Sequence, residues 1–246
     1  MNSLLGFNVY DRAIDEIDLS RNRIINTINP HSYCMTKKDK NFKKVLESSD
    51  VLLPDGIGIV WASKVINGKK IYKIAGFDLF LYVMKYLNSQ GGSCFFMGSS
   101  DTTLQLIKAR AGEEFPNIKV NTYSPPYKPA FSNEDNAAMI EKINEVKPDV
   151  LFVGMTAPKQ ETWVHEHSDQ IQAKTICSIG AVFDFYAGTV KRSGDFWIKM
   201  GLEWLPRFLK EPKRLAERNL VSTPTFIYEV LKQKLTRNDA ELESIN

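Results

Sequence analysis

Only three histidines and three cysteines occur in the 246 residues, and neither set is spaced for metal or redox chemistry. Cys34, Cys94 and Cys177 lie far apart beside apolar residues, without a C-x-x-C pair, which reads as buried free thiols in a reducing compartment. The H-E-H run of His165 and His167 lacks the i, i+4 spacing that sets two imidazoles on one helix face. No metal site is expected. Neither G-x-G-x-x-G nor G-x-x-x-x-G-K-[ST] is present, so dinucleotide and P-loop readings lose their main support. A D-x-D pair is missing too, and a departing diphosphate would therefore need cations from elsewhere in the chain. No stretch approaches the roughly 18 apolar residues that span a bilayer. The start, MNSLLGFNVYDRAIDEIDLS, has no basic n-region and meets an acid by Asp11, so no secretory signal is expected and a cytosolic location is. A formal net charge of +3 does not call for a nucleic-acid partner.

What is present is a globular composition, 43% hydrophobic and 25% charged, of a length that fits one large α/β domain or two small ones. Short apolar runs bounded by turn residues alternate with helical patterns. NRIINTIN over 22–29, VLLP over 51–54, SCFFMG, KVNTY, DVLFVGM and TICSIGA read as strands. The segments 37–48, 56–65, 77–89, 102–114, 133–147 and 158–171 read as helices. This is the signature of a Rossmann-like α/β fold, a mostly parallel sheet flanked by helices on both faces. Beyond Arg192 the periodicity is wholly helical, with Pro212 and Pro224 suited to first turns of helices. The expected organisation is an α/β body over 1–191 and a basic helical appendage over 192–246. Residues 192–237 hold ten Lys/Arg against five Asp/Glu, whereas the chain before them is nearly neutral.

In open α/β sheets ligands collect outside the carboxyl ends of the strands, and five polar signals fall at such ends. FFMGSSD is a strand, a glycine and small hydroxyl residues at a helix start. Gly98, Ser99 and Asp101 there can meet a phosphate or ribose, or the hydroxyls can simply cap the helix. Asp55, between Pro54 and Gly56 after a fully apolar strand, suits a general base if burial raises its pKa, and equally a turn or N-cap. Thr27 and Asn29 alternate with Ile28, so both project to one face, where they can orient a ligand or cap a turn. Gln160, at a helix start after Pro158 and Lys159, can reach a sugar hydroxyl. Asp184, in GAVFDFYAG, is either tied down by hydrogen bonds or used on a ligand. In the appendage Trp197, Leu202, Trp204, Leu205, Phe208 and Leu209 run beside Arg207, Lys210, Arg214 and Arg218. That mixture suits adsorption to anionic headgroups, or a packed helix with a solvated basic face.

Together these pieces resemble the WecG/TagA/CpsF family of glycosyltransferases. The resemblance is carried by TINP (27–30), SDVLLPDGIG (49–58), IAGFDL (74–79), FMG (96–98), VGMTAPKQETW (153–163) and GAVFDFYAG (180–188). After Trp197 it continues with GLEWLPR (201–207) and EPKRL (211–215), so it runs in order over roughly residues 5 to 235. Two departures stand out. Glu217, followed by Arg218, stands where many members carry another arginine. Met155, Thr156 and Ala157 replace a common glycine-rich stretch, and Ala75 stands where proline is common.

The resemblance implies an enzyme of cell-surface polysaccharide or teichoic acid synthesis, peripheral on the inner face of the cell membrane. Its donor would be a UDP-sugar, with N-acetyl-D-mannosamine the first choice and glucose or a uronic acid the alternatives. Its acceptor would be an undecaprenyl-diphosphate-linked saccharide, glycosylated with inversion. No bound metal or other cofactor is implied, homo-oligomers are associated with the family, and the appendage is the membrane contact and the element that closes the site. Carried over by motif, Asp55 would be the base. Thr27 and Asn29 would line the acceptor and sugar site, and Gln160 would contact donor or acceptor. Arg207 and Arg214, with Arg218 as a third cation, would close on the diphosphate near Gly98 to Asp101. The rival readings are an NAD(P)-dependent oxidoreductase on the same type of sheet and a non-catalytic nucleotide-sugar sensor that binds membrane.

Overall fold

The computed structural model describes residues 2–191, 193–194, 196–197 and 204–243, with the backbone alone at 207, 210, 214 and 238–243. The chain begins with a hairpin of β1 (Asn2–Leu4) and β2 (Phe7–Val9). Six parallel strands follow: β3 (Arg23–Ile28), β4 (Val51–Pro54), β5 (Ser93–Gly98), β6 (Lys119–Tyr123), β7 (Val150–Gly154) and β8 (Thr175–Ser178). Their order across the sheet is β4-β3-β8-β7-β5-β6. Tyr10 N–H donates to the Leu52 carbonyl at 2.9 Å, so the chain leaving the hairpin covers the β4 edge that would otherwise be open to pairing.

Helices cover both faces, which is why the strands read as continuous apolar runs rather than as alternation. On one face α4 (Gly76–Gln90), α5 (Asp101–Glu114) and α8 (Val182–Ala187) pack on Ile25, Leu53, Phe96, Phe152 and Cys177. An aromatic group of Phe80, Phe96, Phe152, Phe183 and Tyr186 lies at its centre, with Phe96 stacked on Phe152 at 5.0 Å and Phe80 4.6 Å from Tyr186. On the other face α6 (Asn133–Val146) and α7 (Lys159–His167) pack on Phe95, Met97, Leu151 and Val153. A third cluster joins the hairpin, α1 (Pro30–Lys38), α2 (Lys40–Glu47) and α3 (Ile57–Asn67) to Ile28 and Leu52.

The sequence reading placed most elements within a residue or two, and three features differ. The single helix expected over 37–48 is two helices, α1 and α2, divided at Asp39, whose carboxylate accepts from the N–H groups of Asn41 and Phe42. The hairpin and α8 were not anticipated. Their apolar content is too short to show a period, and tertiary packing holds them.

After α9 (Trp204–Lys210) and α10 (Pro212–Ala216) the chain makes a π-helical turn over Glu217–Ser222 and runs directly into α11 (Thr223–Glu243). Pro224 therefore does not begin a separate helix. It has no N–H, and its ring would meet a carbonyl one turn back in regular α geometry, which the wider turn relieves. Thr223 Oγ1 donates to the Arg218 carbonyl five residues earlier at 3.2 Å. One side of α11 packs on α1 and α3, burying Phe226 and Val230 in the third cluster, with Tyr33 edge-on to Phe226 at 5.5 Å. Lys37–Glu229 and Arg237–Asn67 contacts flank this seam. The residues assigned to the appendage thus supply part of the core of the body. Phe226→Ala should lower stability by about 3–5 kcal/mol, read as a fall in the urea midpoint at constant slope. A change below about 0.5 kcal/mol would mean that α11 does not dock in solution.

Candidate active site

The motif segments converge on the carboxyl edge of the sheet, and direct backbone contacts join them. Asp55 N–H donates to the Ile28 carbonyl at 2.9 Å, and Ile74 N–H to the Pro54 carbonyl at 3.0 Å, so TINP, LPDG and IAGFDL meet at the β3–β4 end. The pairing of Thr27 with Leu53 and of Ile28 with Pro54 sets Asn29 beside Asp55 across the ladder. Asp55 and Thr27 are half-buried. Asn29 is the N-cap of α1: its Oδ1 accepts from the N–H groups of His31 and Ser32, both at 3.0 Å. Pro30 occupies the first position of that helix, where its missing N–H costs nothing. A Cβ at Gly58 would stand 2.6 Å from Pro30 Cγ, so the start of α3 is pressed against the start of α1 and fixes Asp55 next to Asn29.

At the β5–β7 end the pairing brings Gly98 opposite Gly154. A Cβ at Gly98, whose φ is +126°, would lie 2.4 Å from the Gly154 carbonyl oxygen, and one at Gly154 would lie 2.5 Å from the Phe183 ring. No side chain fits at either place. The chain leaving β5 turns toward β6 and the chain leaving β7 turns toward β8. This is a topological switch point, where α/β sheets open a ligand crevice. Ser99 adopts φ +57°, uncommon for a residue with a Cβ, and its carbonyl accepts from Ser124 Oγ at 2.8 Å. Ser100 is the N-cap of α5. Asp101 is the exposed first residue of that helix, where a carboxylate suits the helix dipole and a ribose hydroxyl better than a phosphate.

Gln160 stands between the two ends. It is 5% exposed, and its Oε1 accepts from Gly180 N–H at 3.0 Å and Met155 N–H at 3.3 Å, tying the β7 and β8 loops together. Its Nε2 donates to Oε1 of Glu161 at 2.8 Å. The amide is thus largely committed to the protein, and the Ala157–Pro158 peptide beside it is cis. Sequence reasoning missed Glu161, which is 3% exposed. Burial pushes its carboxyl above the ordinary value, opposed by the Gln160 hydrogen bond. Lys159 lies over the Phe131 ring at 3.5 Å and donates to the Lys128 carbonyl. Asp184 lies in the first turn of the short α8, and its carbonyl accepts from Val190 N–H and Thr189 Oγ1.

Strand order fixes the scale. Asp55 and Gly98 end strands four spacings apart, or ~19 Å at ~4.8 Å each. They cannot act on one atom, but they can hold the two ends of an extended ligand. Of the expected cations, Arg218 lies near His31, which is itself half-buried and held below the usual imidazole value by burial and by the Arg218 charge. His31 Nδ1 and Ser222 Oγ are 2.9 Å apart. The side chains of Arg207 and Arg214 lie outside the described residues, as do Arg192 and Leu202. His165 Nδ1 pairs with Ser48 Oγ at 2.9 Å and His167 packs on Trp163, so both histidines have structural surroundings.

Comparison with known proteins gives a consistent picture. The family described as "Glycosyl transferase WecG/TagA/CpsF family" matches residues 5–240. A protein of Bacillus subtilis (strain 168) named N-acetylglucosaminyldiphosphoundecaprenol N-acetyl-beta-D-mannosaminyltransferase is 30% identical over 218 residues, 89% of this chain and 82% of the relative. Proteins of the same name are 31% identical over the same coverage in Bacillus spizizenii and 26% identical over 215 residues, 87% of this chain and 82% of the relative, in Staphylococcus aureus (strain MW2).

The switch-point geometry yields a paired expectation. Gly98→Ala, with strained φ and a backbone clash, should lower stability by about 2 kcal/mol or more. Gly112→Ala, inside α5 with nothing within 4 Å of the added methyl, should raise it by about 0.8 kcal/mol. Urea denaturation of both checks the sign of each, and a neutral Gly98→Ala would show that the two loop backbones are not in contact.

Proposed function

The chain belongs to the WecG/TagA/CpsF family of glycosyltransferases, and on that premise we propose that it moves N-acetyl-D-mannosamine from a UDP donor to an undecaprenyl-diphosphate-linked N-acetylglucosamine. The names of the relatives support the sugar and the lipid acceptor. One structural observation carries the reading: Asp55, Thr27 and Asn29 sit together at one end of the carboxyl edge, and the Gly98–Asp101 turn sits ~19 Å away at the switch point of the same edge. An acceptor hydroxyl at the first end and the nucleoside end of an extended nucleotide-sugar at the second leave the diphosphate between them and the anomeric carbon beside Asp55.

The step is a direct displacement. Asp55 takes the proton from the acceptor hydroxyl as its oxygen attacks the anomeric carbon, and the bond to the UDP oxygen breaks on the opposite face. Backbone N–H groups at the start of α5 hold the nucleoside end of the donor, and charge developing on the diphosphate nearer Asp55 is met from outside the sheet. The appendage cations Arg207, Arg214 and Arg218 complete the neutralisation. A donor exposed to water can hydrolyse, so a late arrival of these cations with the acceptor protects it.

The membrane is the proposed source of that acceptor and the proposed partner of α11. Opposite its packed side, α11 exposes Ile227, Tyr228, Leu231 and Leu235 at helical spacings, continuing a line from Leu220. No helix among the described residues is long and apolar enough to cross a bilayer. The stripe instead suits a helix lying in the headgroup plane. Leu231→Ser with Leu235→Ser should weaken cosedimentation with anionic vesicles by about tenfold, and unchanged binding would remove α11 as the contact.

Release of UDP from UDP-N-acetylmannosamine should depend on a short-chain polyprenyl-diphosphate N-acetylglucosamine. Asp55→Asn should lower it by about 10²- to 10⁴-fold while circular dichroism shows a folded protein. Undiminished turnover in that variant would end the assignment of Asp55 as the base; no release from wild type with this pair would end the proposed substrates.

A further inference from the structure

On the side of the sheet where α7 packs, the buried side-chain atoms with no hydrogen-bond partner among the described residues include Asn26 Oδ1, Ser178 Oγ and Glu161 Oε2, besides His167 Nδ1 at the far end of α7. Ile25 pairs with Cys177, so Asn26 and Ser178 are the next residues of adjacent strands and share that face, ~4.8 Å apart. Both are 1% exposed. Asn26 satisfies its Nδ2 by donating to Ser49 Oγ at 2.9 Å, so what remains is an amide oxygen that can only accept.

Glu161 offers the complement in one protonation state alone. Its Oε1 accepts from Gln160, and among the described residues its surroundings consist of burial, that hydrogen bond and its own backbone N–H, with no cation acting on it. An ionised carboxylate is acceptor-only, and here it would be both unpaired with a cation and unable to serve Asn26. A neutral acid has an O–H on Oε2 to give. We propose that Glu161 is a neutral, protonated positioning residue: its Oε2–H is donated to Asn26 Oδ1, and its Oε1 fixes the orientation of the Gln160 amide. Burial moves the carboxyl in the same direction.

The consequence for the site runs through Gln160. With Nε2 held by Glu161, Oε1 faces Met155 N–H and Gly180 N–H. A flipped amide would set donors against donors and release both loops. Ser49, Asn26, Glu161 and Gln160 then form a continuous buried link from β3, which carries Thr27, to the loops after β7 and β8. That link sets the spacing between the base and the turn that holds the nucleoside. Gln160 is a clamp on the loops in this arrangement, and Glu161 acts on the reaction only through it.

The inference rests on the transferase reading for its kinetic consequence and not for its chemical one, so two measurements separate them. Infrared difference spectra of wild type against Glu161→Gln, in the full-length protein at neutral pH, should show the carbonyl stretch of a protonated carboxylic acid in wild type only. Its absence overturns the proposal whether or not any donor is turned over. In acceptor-dependent UDP release, Glu161→Leu should lose about 10²-fold in kcat as the loops shift. Glu161→Gln, which offers a carbonyl to Gln160 and an NH2 to Asn26, should rescue turnover to within about fivefold of wild type. A Glu161→Gln enzyme as impaired as Glu161→Leu would mean that the carboxyl acts as an anion, and an unimpaired Glu161→Leu that it positions nothing; either overturns the proposal. Should Glu161→Leu fail to fold, the infrared band and the Glu161→Gln rate still decide.

Discussion

The Gly154 carbonyl comes so close to the α-carbon of Gly98 that an added methyl would stand 2.4 Å from its oxygen, and much of the carboxyl edge follows from this approach. Two strands whose chains leave in opposite directions open a crevice at their ends, and here no side chain fills its mouth. Because Gly154 in turn admits the Phe183 ring, the aromatic core beneath α8 reaches up to the floor of the crevice. Packing on one face of the sheet therefore holds backbone geometry at the edge. A larger residue at either glycine would have to move a strand end or the core. The left-handed Ser99 and the tether from Ser124 extend the same constraint to the start of α5.

Chemistry at the edge is divided by distance. Asp55 and its neighbours cannot reach a ligand group held at the Gly98 turn ~19 Å away, and that turn cannot act on a group held beside Asp55. Such a site depends on the rigidity of what lies between, and the middle of the edge is where buried polar groups are concentrated. Gln160 and Glu161 are both nearly inaccessible although they sit in the first turn of a helix, where polar residues ordinarily face water. Burying them costs free energy that ordinary capping would not demand, which is the physical reason to look for positioning there. Cation supply, in contrast, is assigned to an element outside the sheet. Among the described residues Arg218 approaches the edge from the π-helical turn, and its charge is felt by His31 at the start of α1.

How much of this was legible in the sequence depended on range. The strands, the order of strands and helices, and the turn residues Asp55 and Gly98 were readable because apolar runs, Pro54 and the glycines act locally. Asn29 was readable as a cap, and Asn-Pro before a helix was a signal for α1 that the longer pattern at 37–48 obscured. Gln160 was visible as a polar residue at a helix start, but its commitment to Met155 and Gly180 was not, since those partners lie 5 and 20 residues away and meet only through sheet order. Glu161 lay inside a motif segment but drew no role: a glutamate in the first turn of a helix is ordinary in sequence, and only its burial makes it unusual. The appendage was legible as helical and basic, while its contribution to the core was not. Phe226 and Val230 carry the same spacing as the exposed residues beside them, and periodicity alone does not say which stripe faces protein.

That ambiguity in α11 has a physical use. A helix with two apolar stripes is expensive to leave in water on both sides, and docking on α1 and α3 satisfies only one of them. The docked stripe anchors the helix to the β3–β4 end, where Gly58, Pro30 and Phe226 approach one another, so whatever covers the exposed stripe bears on the part of the edge that holds Asp55 and Asn29. Between that anchor and the cationic helices lies the π-helical turn, held by Ser222 through His31 Nδ1 and through the Cys34 thiol, which donates to the Ser222 carbonyl at 3.2 Å. A turn with wide, poorly aligned backbone hydrogen bonds is less stiff than the helix on either side. A shift of α9 and α10 with α11 still docked would turn about this point. Contact of α11 with a lipid surface would then bring the acceptor and the last cations to one edge together, and the same helix would report membrane attachment to the end of the site that takes the proton.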